Sequence, residues 1–380
     1  MLKVMNIREE ILSGVNKIVI KIGTRVLTNE DGFLDKNQIM ELSKQVIKLC
    51  SGGYSVVVVS SGSIGAGISA LGLQKRPNNL PELQAAAAIG QGKLIEIYNE
   101  CFTKHGYHAA QLLLTRQDFE DRQRYLNTCN TLHSLLNFKV IPIINENDTI
   151  SVEEITFGDN DILSALVTNL LRADLLILLS SVDGLYTTPP TSGKTCSVLS
   201  VVDFVSDDIK KLAFKQKTRE GIGGMKSKLE AAGIVAGSGE AVIIANGRHP
   251  DILSKIMNYD NVGTLFLPYK KKIASRKRWI GFIARPKGEV YIDEGALDAL
   301  QKKGKSLLPS GVMKIDGNFV KGDVVSIVNV SENREIARGL MNYSAEEVQK
   351  IKGLSSSLIK KTLGYKPYDE IIHRDNMVLL

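Results

Sequence analysis

Residues 17–28 read KIVIKIGTRVLT. The Ile- and Val-rich run predicts a buried strand, because branched apolar side chains suit a pleated surface packed on both faces. Lys21 interrupts that run just before Gly23 and Thr24. A lysine in this place either carries its ammonium out to water along its stem or meets an anion at the end of the strand.

Five more runs of the same texture follow: SVVVVSS (55–61), HAAQLLL (108–114), KVIPIINEND (139–148), DLLILLSS (174–181) and AVIIAN (241–246). Helical patterns separate them, among them KNQIMELSKQVIKLC (36–50) and NDILSALVTNLLRA (160–173). Continuous apolar strands alternating with helices predict an α/β fold, a mainly parallel sheet covered on both faces. In such sheets ligands collect at the carboxyl ends of the strands.

The chain has 380 residues, long for one domain, so two are expected. A composition of 43% hydrophobic and 23% charged residues is that of a globular protein with a sizeable core. The net charge of +7, from 48 basic and 41 acidic residues, is too mild for a nucleic-acid coat and compatible with phosphorylated small molecules. Cys50, Cys101, Cys129 and Cys196 form no C-x-x-C pair and have no histidine at zinc spacing, so reduced thiols are expected. His105 and His108 lack a third ligand and read as packing residues. The N-terminus has no continuous apolar stretch, and no apolar run reaches about 18 residues, so a soluble cytoplasmic protein without membrane contact is expected.

The texture changes at residues 270–278, KKKIASRKR, where six of nine residues are basic; this reads as a linker. Short β-like pieces with glycine turns follow, such as GEVYID and KGDVVSIVNVSENREIARGL, and predict a small, mostly β domain. The expected division is 1–267, a linker at 268–279, a second domain at 280–365 and a tail at 366–380.

The strand ends carry the chemistry. SSGSIGAG, Ser60–Gly67, is either a tight strand-to-helix turn or a cradle whose backbone N–H groups approach an anion. Its G-x-x-G-x-G spacing is not the dinucleotide fingerprint. Asn145–Thr149 are five polar residues straight after VIPII, and FGDND (157–161) opens a helix nearby. Asp159 or Asn160 is an N-cap in the plain reading, but two such clusters so close together point to a site. GIGGMKSKLEAA (221–232) nearly matches a Walker A loop and fails because Met225 stands at the required glycine. Lys226 and Lys228 there are either a solvated pair or phosphate contacts. Lysines, glycine cradles and carboxylates together suit phosphoryl transfer, which needs positioning and charge neutralisation more than covalent chemistry.

These motifs, with LQAAAAIGQGKL (83–94), LLLTRQDFEDRQRYLNTCNTL (112–132) and GLYTTPP (184–190), resemble the amino acid kinase family, and INENDT followed by FGDND resembles its glutamate-phosphorylating branch. Residues 291–353 resemble a PUA domain. The resemblance implies a three-layer sandwich around the sheet plus a small PUA barrel. It implies ATP-dependent phosphorylation of the L-glutamate side-chain carboxylate, with Mg2+ accompanying ATP, in the first step of proline biosynthesis. Carried over residue by residue, Lys21 and Lys228 would contact the ATP phosphates and Asp161 would orient both. Ser61, Gly62, Asp148 and Asn160 would hold glutamate. Gly23, Ser180 and Ser181, with Ile222, Gly223, Gly224, Met225, Lys226, Ser227 and Lys228, would line the nucleotide site. Ser181 and Ile222 depart from the family pattern, both in the nucleotide part. The family also implies feedback inhibition by proline and a homo-oligomer, a tetramer. No protein metal site is expected. RNA is the competing partner for the second domain, through its basic segment, but the domain lacks a set of stacking aromatics and RNA binding is not the expected outcome.

Overall fold

The computed structural model describes residues 7–29, 32–150, 160–188, 196–214, 224–269 and 274–380. Two compact units emerge, one within Met1–Asp118 and Arg122–Lys272, the other within Phe119–Asp121 and Ile273–Leu380.

The first unit is built on an eight-stranded sheet. Its strands are β1 (Lys17–Ile22), β2 (Ser55–Ser60), β3 (His108–Leu114), β4 (Val140–Glu146), β5 (Leu175–Ser180), β6 (Val201–Val202), β7 (Ala241–Asn246) and β8 (Thr264–Phe266). The order is β3-β4-β2-β1-β5-β7-β8-β6. Neighbours from β3 through β7 pair in parallel; β8 pairs antiparallel with β7, and β6 lies parallel to β8. The two short strands carry no long apolar run, which is why the sequence reading passes over them.

β1 is buried on both faces, and its alternation sorts its side chains into two layers. Ile18, Ile20 and Ile22 join a core with residues of the helices Lys36–Ser51 and Leu80–Thr103. Val19 and Lys21 point the other way, where the helix Asn160–Leu171 lies against β1 and packs beside the helix Met225–Gly237. Every residue of Asn160–Leu171 except Ile162 is buried, so this helix is covered all round. Lys21 therefore stands under a buried helix, 6% exposed, and does not reach out to water. β1 also sits where the chain leaves in one direction through β2 and comes back on the other side as β5. Such a switch point opens a crevice at the carboxyl ends of the strands.

The second unit contains β9 (Gly288–Ile292), β10 (Val312–Gly317), β11 (Val324–Asn329), β12 (Arg334–Leu340) and β13 (Met377–Leu379). They form one sheet in the order β10-β9-β11-β12-β13, with β9 and β11 parallel and the other neighbours antiparallel. Among the described residues no pairing joins β10 to β13, so the expected barrel is an open five-stranded sheet. Residues 366–380, expected as a tail, supply β13 and buried Ile371 and Ile372. The described end of the basic linker is also built into structure: Ser275–Arg278 is helical and Arg278 is fully buried.

Candidate active site

Asp161 sits in the first turn of the helix Asn160–Leu171, completely buried. Lys21 comes from β1, with Nζ 2.6 Å from Asp161 Oδ1. Lys228 comes from the first turn of the helix Met225–Gly237, with Nζ 3.0 Å from Oδ2. The Ser227 hydroxyl donates to the same Oδ2 at 2.8 Å. Burial alone pushes the Asp161 carboxyl up. The charges of Lys21 and Lys228 and their hydrogen bonds outweigh it and hold the group far below the usual carboxylate range. One carboxylate between two ammonium groups leaves a net positive charge in a dry place. Such a cluster is poised for an anion, since attraction is strong where water is excluded.

Gly23 lies beside it. Its N–H donates to Leu179 O at 3.0 Å. A Cβ there would stand 3.2 Å from that carbonyl and 3.6 Å from Lys21 Nζ, so glycine keeps the ammonium's flank open.

A polar wall faces the ends of β2 and β4. Gly62 has a φ of 101°, which glycine adopts without strain, and it turns the chain from β2 into the helix Ser63–Ala70. The Ser63 hydroxyl donates to Asp148 Oδ2 at 2.7 Å. Burial pushes the Asp148 carboxyl up, opposed in part by that hydroxyl and by the charge of Arg76. The Asn160 amide nitrogen donates to Ser60 O at 3.2 Å, Ser61 Oγ at 2.9 Å and Asn145 Oδ1 at 2.9 Å. What Asn160 has left to offer is its Oδ1, an acceptor, and Ser61 keeps its own hydroxyl hydrogen to donate. The Asn160 Oδ1 acceptor and the Asp148 carboxylate each suit a substrate ammonium; a free hydroxyl suits a substrate carboxylate.

The sequence reading missed the support behind this wall. Asn145 Nδ2 donates to Gln91 Oε1 at 3.3 Å, Gln111 Nε2 donates to the same oxygen at 3.0 Å, and Gln91 Nε2 donates to Glu146 O at 3.3 Å. Gln91 lies within the helix Leu80–Thr103, between Gly90 and Gly92 of the LQAAAAIGQGKL stretch, and nothing in that stretch names its partners.

The nucleotide-side candidates are mixed. Gly224 precedes the helix Met225–Gly237 in extended conformation and accepts from the Ser227 hydroxyl at 2.9 Å. Met225 is buried, Lys226 exposed, Ser180 half-buried and Ser181 exposed. Ile222 and Gly223, and Asp159 with most of FGDND, lie outside the described residues. Next to Ser181, Asp183 accepts from Asn246 Nδ2 at 2.9 Å and from the Tyr186 hydroxyl at 3.0 Å, and pairs with His249 Nε2 at 2.8 Å. Asp183, Asn246 and His249 border an open cleft of about 440 Å³ over the ends of β5 and β7. Among the described residues no three His, Cys, Asp or Glu side chains come together as a metal cage, and no helix is long and apolar enough to cross a membrane. His105 and His108 are exposed, and all four cysteines are free thiols.

The fold and this cluster define a class: an α/β enzyme with a buried cationic site at the sheet's switch point. The amino acid kinase family model matches residues 16–246, and the PUA domain model matches residues 288–363. A glutamate 5-kinase of Thermoanaerobacter sp. strain X514 is 51% identical over 364 residues, 96% of this chain and 98% of that one. The glutamate 5-kinase of Caldanaerobacter subterraneus subsp. tengcongensis is 52% identical over the same shares. That of Syntrophus aciditrophicus is 45% identical over 98% of this chain and 96% of its own. The chain belongs to the amino acid kinase family, and within it to the glutamate 5-kinases, with an appended PUA domain.

Proposed function

We propose that this chain transfers the γ-phosphoryl group of ATP to the side-chain carboxylate of L-glutamate, giving L-glutamyl 5-phosphate and ADP, the first step of proline biosynthesis. The observation that carries the reading is the buried Lys21–Asp161–Lys228 cluster. A side-chain carboxylate with an ordinary pKa of about 4.3 is already ionised at neutral pH, so no general base is needed. One carboxylate oxygen bonds to the γ-phosphorus as the bond to the β,γ-bridging oxygen breaks, and ADP leaves with that electron pair. The obstacle is bringing an anion up to a polyphosphate. Lys21 and Lys228 neutralise the charge that spreads over the transferring group, and Asp161 fixes where both ammonium groups point.

Asp148 and the Asn160 Oδ1 receive the substrate's α-ammonium, and the Ser61 hydroxyl with the backbone at Gly62 meets a carboxylate. Gly23, Ser180, Ser181 and the 222–228 segment hold the nucleotide. Mg2+ would accompany ATP and would supply Lewis-acid charge to its phosphates.

The deciding measurement is ADP release with glutamate, N-acetylglutamate, aspartate and UMP as acceptors in turn. Turnover with glutamate alone supports the reading, and a preference for another acceptor overturns it. By the same family reasoning we propose a cytoplasmic tetramer inhibited by proline, to be checked by light scattering and by proline titration of the rate.

A further inference from the structure

β1 and β7 are not neighbours; β5 runs between them. Two strand spacings, about 9–10 Å, therefore separate their ends. The residues that follow β7 nevertheless hold the turns after both β1 and β5. Arg248 reaches back across the end of β5: Nε and Nη2 donate to Arg25 O at 3.3 and 3.0 Å, and Nη2 also donates to Thr28 O. These carbonyls close the short helix Thr24–Leu27, where acceptors are left without intrahelical partners and a cation is favoured.

Gly247 N–H donates to Ser180 O at 2.9 Å, and a Cβ on Gly247 would lie 2.7 Å from Val26 Cγ1. Gln38 Nε2 donates to Gly247 O at 2.8 Å. Asn246 and His249 grip Asp183 in the turn after β5. The turn that Arg248 ties down begins at Gly23, against the Lys21 ammonium. No described carboxylate pairs with the guanidinium, so its charge adds to the positive field at this end of the sheet.

We propose that Arg248 is a positioning residue for phosphoryl transfer: by bridging the Arg25 and Thr28 carbonyls from the end of β7, it fixes the Gly23–Thr28 turn in the shape that receives a nucleoside triphosphate. This rests on the nucleotide reading of the Lys21 end of the site. The assigned role is on the nucleotide side, because the turn begins at Gly23 against the Lys21 ammonium and no hydrogen bond of the clasp reaches Ser61, Asp148 or Asn160. Leu27 and Thr28 of the same turn also stand near Gly62 and Gly65, so the glutamate KM decides which side the clasp serves.

The test uses the full chain with Arg248→Ala and Arg248→Lys. Calorimetry gives the affinity for a non-hydrolysable ATP analogue with Mg2+; steady-state kinetics give KM for ATP and for glutamate separately; a melting curve reports folding. Losing a charged donor shared by two carbonyls is expected to weaken analogue binding and raise the ATP KM about tenfold or more. The glutamate KM stays within about twofold, and R248K recovers part of the loss by reaching one carbonyl. Wild-type analogue affinity in R248A, or equal losses for both substrates, overturns the proposal. If R248A does not fold, R248K is judged by the same split. A wild-type chain that does not bind the analogue overturns the nucleotide reading and the clasp with it; wild-type binding with an indifferent Arg248 overturns the clasp alone.

Discussion

Asp161 and Asp148 are two carboxylates near one crevice, shifted in opposite directions. Asp161 gains more from its lysines than burial costs it. Replacing it with Asn leaves two buried ammonium groups facing each other without compensation, a change that typically costs about 3–5 kcal/mol. Its folded-state pKa lies below the unfolded value of about 3.9, so its stabilisation is complete above that pH and is lost as the pH falls from there through the folded pKa. The urea midpoint of the wild type should therefore drop more between about pH 5 and pH 3 than that of Asp161→Asn; equal acid slopes refute the assignment. Asp148 is the reverse case: burial raises its pKa, so its ionised form costs folding stability at neutral pH. Asp148→Asn should melt at or above the wild-type temperature while the glutamate KM rises about 10- to 100-fold, the worth of a charge-assisted bond of about 1.5–3 kcal/mol. A lower melting temperature with an unchanged KM would show instead that Asp148 only holds Ser63.

Two helices back the Asp148 side of the crevice. Ser63–Ala70 and Leu80–Thr103 cross so closely that a Cβ on Gly90 would fall 1.7 Å from Ser63 O, and one on Gly67 would fall 1.8 Å from Ala86 O. Gly90→Ala must push Ser63, the donor to Asp148, out of place, and it shifts Gln91, the prop of the Asn145–Asn160 amides. The expected result is a loss of about 1–3 kcal/mol of stability, the range for overpacking, with a raised glutamate KM and an unchanged ATP KM. Unfolding curves and the two KM values check it. The strands were legible in the sequence because an apolar β-branched run announces itself locally, and Lys21 stood out because it breaks one. Gly90, Gln91 and Arg248 were not, because their meaning lies in what arrives from 27, 54 and 220 residues away (Ser63, Asn145 and Thr28). Lys226 and Lys228 differ in the same way. Only the second falls on the buried face of its helix, and the sequence alone left both open.

At the scale of the whole chain, two cores fold from one sequence, and every candidate site residue named here belongs to the first. The second core closes only with the last residues: Ile371, Ile372, Met377 and Val378 are buried, β13 completes the sheet, and Asn342 Nδ2 donates to Glu370 O at 3.1 Å. Burying four such side chains contributes about 6–12 kcal/mol at roughly 1.5–3 kcal/mol each, as much as a small domain's entire stability of about 5–15 kcal/mol. Removing residues 366–380 should therefore abolish the second unit's melting transition in calorimetry, even though the PUA match itself ends at residue 363. The first unit's transition should survive, because its core shares none of these residues. Glutamate-dependent ATP turnover should then persist within several-fold of the full chain. If the truncated chain keeps both transitions, the last fifteen residues (366–380) are peripheral to the second fold. If it loses turnover while keeping the first transition, the second unit contributes to the reaction in a way that the site residues alone do not explain.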